Sequence, residues 1–309
     1  MRRGPLTLTT CAAVVGAALL GGCSSAPSDA PAPAVDLDSV NGLDLNPVLD
    51  AATGAVTLPY DRFVESYEEM DVISVASSTL ISACAAKSGV RFPAPTLTAD
   101  TAPYVSELYF GPWTTAQASR FGFVRPMSDA DLVANGIVAD DGTAADEEEP
   151  AQDVGELSEA DYAVMGACSS APEVAQLNTA LMHDGPWVTQ IEAASGKVLD
   201  QPAAKAAIEE LGRCYDDAGL EPDSANPWMV AGARGDAITE EQIALALKVV
   251  ACKDEVDFTA RMARVEAQLQ APVIAEYTDE LVAQRRALDE AVAKGREILA
   301  GAPQAGTSR

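Results

Sequence analysis

The chain has 309 residues and a formal net charge of −27, with 47 acidic residues against 20 lysines and arginines. A surface this acidic repels nucleic acid and anionic lipid headgroups, which argues against both as electrostatic partners. This length has room for two domains, or for one domain with appendages.

The N-terminal run begins with Arg2 and Arg3 and continues as a small, apolar segment that ends at 20–23 (LGGC). A basic start, an apolar stretch too short to span a bilayer and small residues before a cleavage site are typical of an export signal. Leu, two small residues and Cys resemble the lipobox of bacterial lipoproteins, whose Cys is lipidated and becomes residue one. The resemblance implies a signal peptide at 1–22 and lipid attachment at Cys23. An ordinary signal peptide with a chance cysteine is the alternative.

Cleavage of this signal removes two basic residues, so the net charge of −27 becomes −29 in the mature chain. Such a chain would hold to a membrane through its lipid, and two or three acyl chains give durable anchoring where one gives marginal binding. No other segment reads as apolar for long enough to cross a bilayer. We therefore expect a lipid-anchored protein on the outer face of the cytoplasmic membrane.

The next region, 23–53, is predicted to be the lipidated cysteine and a flexible tether. Residues 24–34 (SSAPSDAPAPA) are rich in Pro, Ala and Ser and bury too little apolar surface to fold. The acidic segment 36–46 invites a calcium-loop interpretation. That pattern is broken because Val40 stands where an oxygen ligand is required and the glycine comes one place late.

A helical core is predicted for 54–256, because apolar residues recur at three- and four-residue spacing between helix-starting signals. The predicted helices involve Met70 to Cys84, a short one capped by Ser128, and others that begin near Ser158, Pro172, Pro202 and Thr239. Thr239 and Gln242 match a capping box. The low-complexity segment 138–155 is predicted to be a solvated acidic loop, with metal or basic-partner binding as the less favoured interpretation.

One long amphipathic helix is predicted for 257–300, followed by a disordered tail at 301–309. Pro272 should kink this helix because proline removes a backbone donor and clashes with the preceding turn. Its apolar stripe exceeds what a core of this size needs. It is therefore expected to pack on the body or, if the half beyond Pro272 is exposed, to offer a protein partner a docking surface.

Four cysteines remain after the signal and lipid sites: Cys84, Cys168, Cys214 and Cys252. An even number in an exported chain indicates disulfides, with four buried free thiols as the alternative. A zinc site is disfavoured because no two of them are close neighbours and the chain has a single histidine. No metal and no cofactor is predicted.

The pairing is suggested by an internal echo, since 84–89 and 214–219 are both Cys-x4-Gly at the end of an apolar-faced helix. Each is followed later by a second cysteine. Two related halves, each closed on itself, would pair Cys84 with Cys168 and Cys214 with Cys252. A bond between Cys84 and Cys214 is the competing arrangement.

In its order of motifs the chain resembles a family of actinobacterial exported proteins and lipoproteins. The motifs are 58–63 (LPYDRF), 120–123 (RFGF), Cys214-x4-Gly219 and 246–253 (ALKVVACK) leading into a long charged helix. Together they cover about 54–300. The chain departs from the pattern at Ala85, where relatives often have Met, and at the residues after the two glycines, Val90 and Leu220. The resemblance implies location and a helical fold, and it implies no activity.

Catalytic motifs are sparse. His183 is the one histidine, and neither a Gly-x-Ser-x-Gly elbow nor a phosphate-binding glycine loop is present. His183 is read as a turn residue beside a buried Trp187. All three tryptophans follow a proline and are read as loop plugs, with a ligand-stacking set as the alternative. The function predicted is a non-enzymatic binding or accessory protein of the cell envelope, and the alternative is a carboxylate-dependent cell-wall hydrolase.

Overall fold

Helices dominate the computed structural model, which describes residues 35–92, 94–95, 97, 109–138 and 157–301. Its two short strands are Val48–Asp50 (β1) and Ala55–Thr57 (β2), and a 3-10 turn follows at Tyr60–Arg62. The described helices are α1 Tyr67–Lys87, α2 Thr115–Phe121, α3 Asp129–Ala134, α4 Glu159–Ser169, α5 Pro172–Thr179, α6 Trp187–Ser195, α7 Pro202–Asp217, α8 Glu240–Glu255, α9 Phe258–Glu276 and α10 Thr278–Gly301. The prediction of a mainly α fold with disulfides is confirmed.

Folded structure begins earlier than the expected residue 54. Leu37, Val40 and Leu45 are buried, and they join the apolar cluster of α9. The predicted tether at 23–53 is therefore wrong for residues 35–53, whereas 23–34, with Cys23, lies outside the described residues. The apolar residues of this segment alternate irregularly with acids, so they show neither helical nor strand spacing, and contacts far away in the chain, with α9 among them, order the segment.

β1 and β2 form an antiparallel hairpin in which Leu49 lies opposite Val56. The carboxylate of Asp50 closes its turn by accepting hydrogen bonds from the backbone N–H of Ala52 at 2.9 Å and from the Thr53 hydroxyl at 2.9 Å. The hairpin leads directly into the 3-10 turn, so it positions that turn against the helices.

Helix starts follow the predicted caps with one difference. The side chains of Ser128 and Ser158 accept hydrogen bonds from the backbone at the starts of α3 and α4, as predicted. Thr239 likewise caps α8, but the capping box is half formed. The Gln242 side chain turns away to bond Gly232 O at 3.0 Å and Arg234 N at 2.7 Å, because those loop groups need partners.

The predicted single C-terminal helix is two helices, and the break comes at Tyr277 and not at Pro272. Pro272 lies inside α9, whose backbone accommodates it. At the break, side chains donate hydrogen bonds to the carbonyls of Ile274 and Ala275. The hydroxyl of Thr278 donates to Ile274 O at 2.8 Å, and the side-chain amide of Asn41 donates to Ala275 O at 2.8 Å.

The apolar stripe of α10 is covered by the body. Its buried residues pack with those of α1 and α5 in one cluster that contains Val72, Ile73, Ala76, Leu177, Leu288, Ala291 and Val292. Gly295 allows the close crossing, since a Cβ there would lie 3.0 Å from Val72 Cγ1. The condition set by the sequence for an exposed half beyond Pro272 is therefore not met, and the stripe serves packing.

By length and composition alone, one described stretch, Tyr60–Lys87, is long and apolar enough to cross a membrane, with a mean hydropathy of 1.2 over an 18-residue window. This departs from the sequence expectation. The helix in this stretch, α1, packs against α4, α5 and α10. A core helix of a folded domain packs in the same way.

Two disulfides join helices in pairs. Cys84 on α1 is bonded to Cys168 on α4, and Cys214 on α7 is bonded to Cys252 on α8, with Cα–Cα distances of 5.8 and 5.6 Å. This is the pairing that the internal echo predicts.

The echo is also visible in the backbone. Gly89 and Gly219 both have φ near +70° to +80° (+79° and +68°), and the next residue bonds back into the helix in each case. Val90 N–H donates to Ala85 O at 3.1 Å, and Leu220 N–H donates to Tyr215 O at 2.8 Å. The similarity of the whole halves stays a prediction, and the predicted acidic loop lies outside the described residues from 139 onward.

Candidate functional site

The candidate site lies where α6, α9 and the 3-10 turn meet. Ile191 of α6 packs in one buried cluster with Ala267 and Ile274 of α9. The turn is fixed to the same helix because the backbone N–H of Tyr60 donates to Gln270 Oε1 at 3.1 Å. Polar groups from all three elements therefore come together above an apolar floor.

Glu266 of α9 is the centre of this polar group, and 7% of its surface is exposed. Its Oε2 accepts a hydrogen bond from the hydroxyl of Tyr109 at 2.8 Å, and its Oε1 accepts one from the hydroxyl of Ser195 at 2.6 Å. Burial, together with the charge of Glu266, raises the pKa of Tyr109. The phenol therefore stays protonated as a donor to the carboxylate.

Asp61 is the second acid of the site. Unlike Glu266, which is buried, Asp61 keeps exposed surface. Its carboxylate accepts a hydrogen bond from the backbone N–H of Leu58 at 2.7 Å. Desolvation by the surrounding protein raises the pKa of Asp61, and the charge of Glu266 raises it further. We call Asp61, Tyr109, Ser195 and Glu266 the carboxylate cluster.

His183 lies in the connection between α5 and α6. Its Nε2 is 2.5 Å from Glu65 Oε2, and both side chains are about four-fifths buried, with exposures of 18% and 21%. Its Nδ1 is buried and makes no hydrogen bond among the described residues. A ring N–H at Nε2 can donate to the Glu65 carboxylate, whereas Nδ1 has no described partner.

This geometry gives His183 a structural role, because the nitrogen not used by Glu65 is closed off from a substrate. The turn is predictable from the sequence, but its partner Glu65, which lies 118 residues away in the chain, is not. Trp187 follows the turn, and its ring centroid lies 5.7 Å from that of Tyr277. The predicted plug role fits that packing.

The other two tryptophans lie elsewhere and do not form one stacking set with Trp187. Trp113 donates from its indole N–H to Gly54 O at 2.7 Å, which ties α2 to the hairpin. Trp228 makes an edge-on contact with Phe110 at 5.2 Å between ring centroids. Trp228 also packs against the apolar cluster of α7, α8 and α9, as the plug interpretation predicts, whereas the bond of Trp113 joins its loop to the hairpin.

A buried lysine was missed by the sequence analysis. Lys253 is enclosed on α8, and its Nζ donates to Phe110 O and, at 3.1 Å, to Pro112 O. Burial lowers the pKa of Lys253 to about 7. The bonds fasten the turn at Gly111, whose φ of +85° favours glycine.

No group of three or more potential metal ligands lies together among the described residues. The acidic segment considered for calcium uses its side chains locally, since Asp36 Oδ1 accepts from Asp38 N at 3.1 Å and Asp44 Oδ1 from Asn46 N at 2.9 Å. The four core cysteines are taken up by disulfides.

Comparison with family models, curated proteins and solved structures finds no match for the chain.

Proposed function

We propose that the protein is an extracytoplasmic lipoprotein, anchored through Cys23, that serves as a non-enzymatic binding or accessory protein of the cell envelope. The observation that carries the location is the LGGC sequence at 20–23 behind a basic and apolar run. The disulfides at Cys84–Cys168 and Cys214–Cys252 support it, because such bonds persist in oxidising compartments outside the cytoplasm.

A protein partner on the C-terminal helix is part of this proposal. Since the apolar side of α10 is covered, such a partner would bind the outer, charged side, where Glu280, Arg286 and Glu290 are partly or fully exposed. Contacts of this kind favour a partner of complementary charge and a salt-sensitive association.

Substitution of the lipid site tests the anchor. Cys23→Ala is expected to move the protein from washed membranes into the medium, because the acidic body has no attraction of its own to anionic lipid. Cys11→Ala is the matched control, since it also removes a cysteine from the N-terminal run and leaves the lipobox intact. Retention of Cys23→Ala on membranes through the same washes would contradict the proposal.

Carboxylate-dependent hydrolysis of a cell-wall polymer is the second candidate. The coupling of Asp61 to Glu266 favours it, because a carboxyl whose pKa is raised, close to a second carboxyl, suits general acid catalysis. Burial of Glu266 and the engagement of both its oxygens by hydroxyls argue against it.

Turnover of purified cell wall by the whole protein separates the two functions. We expect no release of soluble saccharide by the natural chain. Release that falls by about 10²-fold or more in both Asp61→Asn and Glu266→Gln, and not in Glu192→Gln, would establish the hydrolase instead.

A further inference from the structure

We infer that residues 35–46, here called the strap, fasten the membrane anchor to α9 and thereby limit how far the body can stand from the lipid surface. The inference rests on the proposed lipidation of Cys23. The strap is the first described segment, and its partners on α9 come more than two hundred residues later, at a separation of 233 for the first contact.

The first fastening is at Val35. Its N–H donates to Gln268 Oε1 at 2.6 Å, and its carbonyl accepts from Gln268 Nε2 at 2.7 Å. One side-chain amide thus bonds both polar groups of one backbone residue, as a neighbouring strand would. The point at which the tether leaves the body is fixed here.

The middle of the strap is held by burial. Leu37 and Leu45 are 3% and 1% exposed, and they pack with Ala271 of α9. Leu45 N–H also donates to Leu37 O at 2.6 Å, which folds the strap back on itself. Full burial of a leucine side chain is worth about 2 kcal/mol, so this contact resists thermal fraying.

The strap is also hydrogen-bonded to the body at Asn41 and at its end, residues 44–46. Asn41 reaches the end of α9, where its amide donates to Ala275 O at 2.8 Å. Arg62 of the 3-10 turn donates to the carbonyls of Asp44 and Asn46. A pull on the anchor therefore meets α9 and the 3-10 turn before it reaches the hairpin.

The strap changes the reach of the tether. Val35 comes 12 residues after Cys23, whereas the next fixed element, β1, starts at Val48, 25 residues after it. Full extension is limited to about 3.4 Å per residue, so the reach is about 40 Å with the strap and about 85 Å without it. With the strap bound to α9, the shorter of these two lengths sets the limit on the distance from Cys23 to the body.

Energy transfer from the tryptophans to a dansyl-labelled lipid measures this distance. The lipidated chain would be placed in phosphatidylcholine vesicles, which carry no net charge. In the release variant, Leu37→Asp with Leu45→Asp, the root-mean-square tether length rises about 1.4-fold, so transfer to the membrane plane should fall at least about twofold. A matched variant keeps the strap and inserts about 13 Gly and Ser residues before Val35, which should lower transfer equally.

The outcomes are distinct. Equal transfer in the natural chain and the release variant, with both on the vesicles, would overturn the strap and leave the anchor standing. A natural chain that does not associate with vesicles would overturn the anchor and the strap together. Hydrogen exchange in α9 checks that the release variant is folded, and Asn41→Ala with Gln268→Ala replaces it if α9 loses protection.

Discussion

Lys253 on α8 and Glu266 on α9 are both buried charged side chains, and both form their hydrogen bonds with neutral groups. Lys253 donates to two backbone carbonyls, and Glu266 accepts from two hydroxyls. Both use the segment 109–112, since Tyr109 bonds the glutamate while Phe110 and Pro112 bond the lysine. The segment is therefore gripped from two helices by charges of opposite sign.

The two side chains differ in which group has its pKa shifted by burial. Burial removes the water that stabilises the ammonium of Lys253 and so lowers its pKa to about 7; after proton loss the amine still has donors for the carbonyls. At Glu266 the shifts fall on the neighbours: burial raises the pKa of Asp61 and of Tyr109, and the charge of Glu266 raises both further. We therefore expect the stability of the region around Lys253 to depend on pH, and the pKa of Asp61 to depend on the charge of residue 266.

Removal of the lysine should have the largest effect. Lys253→Met preserves most of the side-chain volume but leaves the carbonyls of Phe110 and Pro112 without their donor, at about 2–4 kcal/mol in the free energy of unfolding. Urea unfolding measures this loss. Lys248→Met on the same helix is exposed and should change stability by less than about 0.5 kcal/mol. Equal losses in the two variants would contradict the role of Lys253.

Raising the pH should stabilise the natural chain through the same lysine. Its folded pKa of about 7 lies below the ordinary value, so the unfolded chain binds more protons between these two values and stability rises with pH. We expect a gain of about 1–2 kcal/mol from pH 7 to pH 8.5, measured by urea unfolding. The gain should be absent in Lys253→Met, and the same gain in that variant would assign it to another group.

Neutralising the glutamate should have a smaller effect on stability and a clear effect on Asp61. Glu266→Gln keeps the shape and can still bond Tyr109 and Ser195, so the free energy of unfolding should fall by about 1 kcal/mol. Loss of the charge should lower the pKa of Asp61 towards its ordinary value, which NMR titration of its carboxyl carbon detects. Glu192→Gln is the control, and an unchanged pKa of Asp61 in Glu266→Gln would show that burial alone raises it.

The elements that sequence analysis predicted well are set by local chemistry. Ser158 begins α4 and Pro202 begins α7 because a cap or a fixed φ acts within one turn. The cysteines were placed on apolar helix faces by spacing, and the structure pairs neighbouring helices through them.

The parts that were missed depend on contacts far apart in the chain. The strap has too few regularly spaced apolar residues to be predicted from its sequence. Glu65 and His183 meet because the helices bring two distant loops together. A signal was present for the carboxylate cluster. Glu266 and Gln270 stand one turn apart on the face that carries the buried Met262, and polar residues on a core face need partners.

In a third region, between α1 and α10, opposite charges face each other. Arg285 of α10 donates to Glu69 Oε1 at 2.5 Å, where the side chains are 22% and 20% exposed. Burial pushes the pKa of Glu69 up, but the bonds and charge of Arg285 with those of Ser66 outweigh it and lower the pKa. A lowered acid pKa gives stability above the unfolded value of about 4.3 that is lost as pH falls through the folded value.

Glu69→Gln should therefore cost about 0.5–1 kcal/mol at pH 6 and nothing well below pH 4, because glutamine still completes the capping box with Ser66 and loses only the charge. Urea unfolding of both chains at the two pH values measures the difference. Glu68→Gln is the control, since Glu68 is exposed and its contact with Arg296 is 3.3 Å long. If the loss of unfolding free energy persists at low pH, Glu69 stabilises the fold through packing and not through its charge. The pair with Arg285 would then contribute no more through its charges than Lys253 and Glu266 do with their neutral partners.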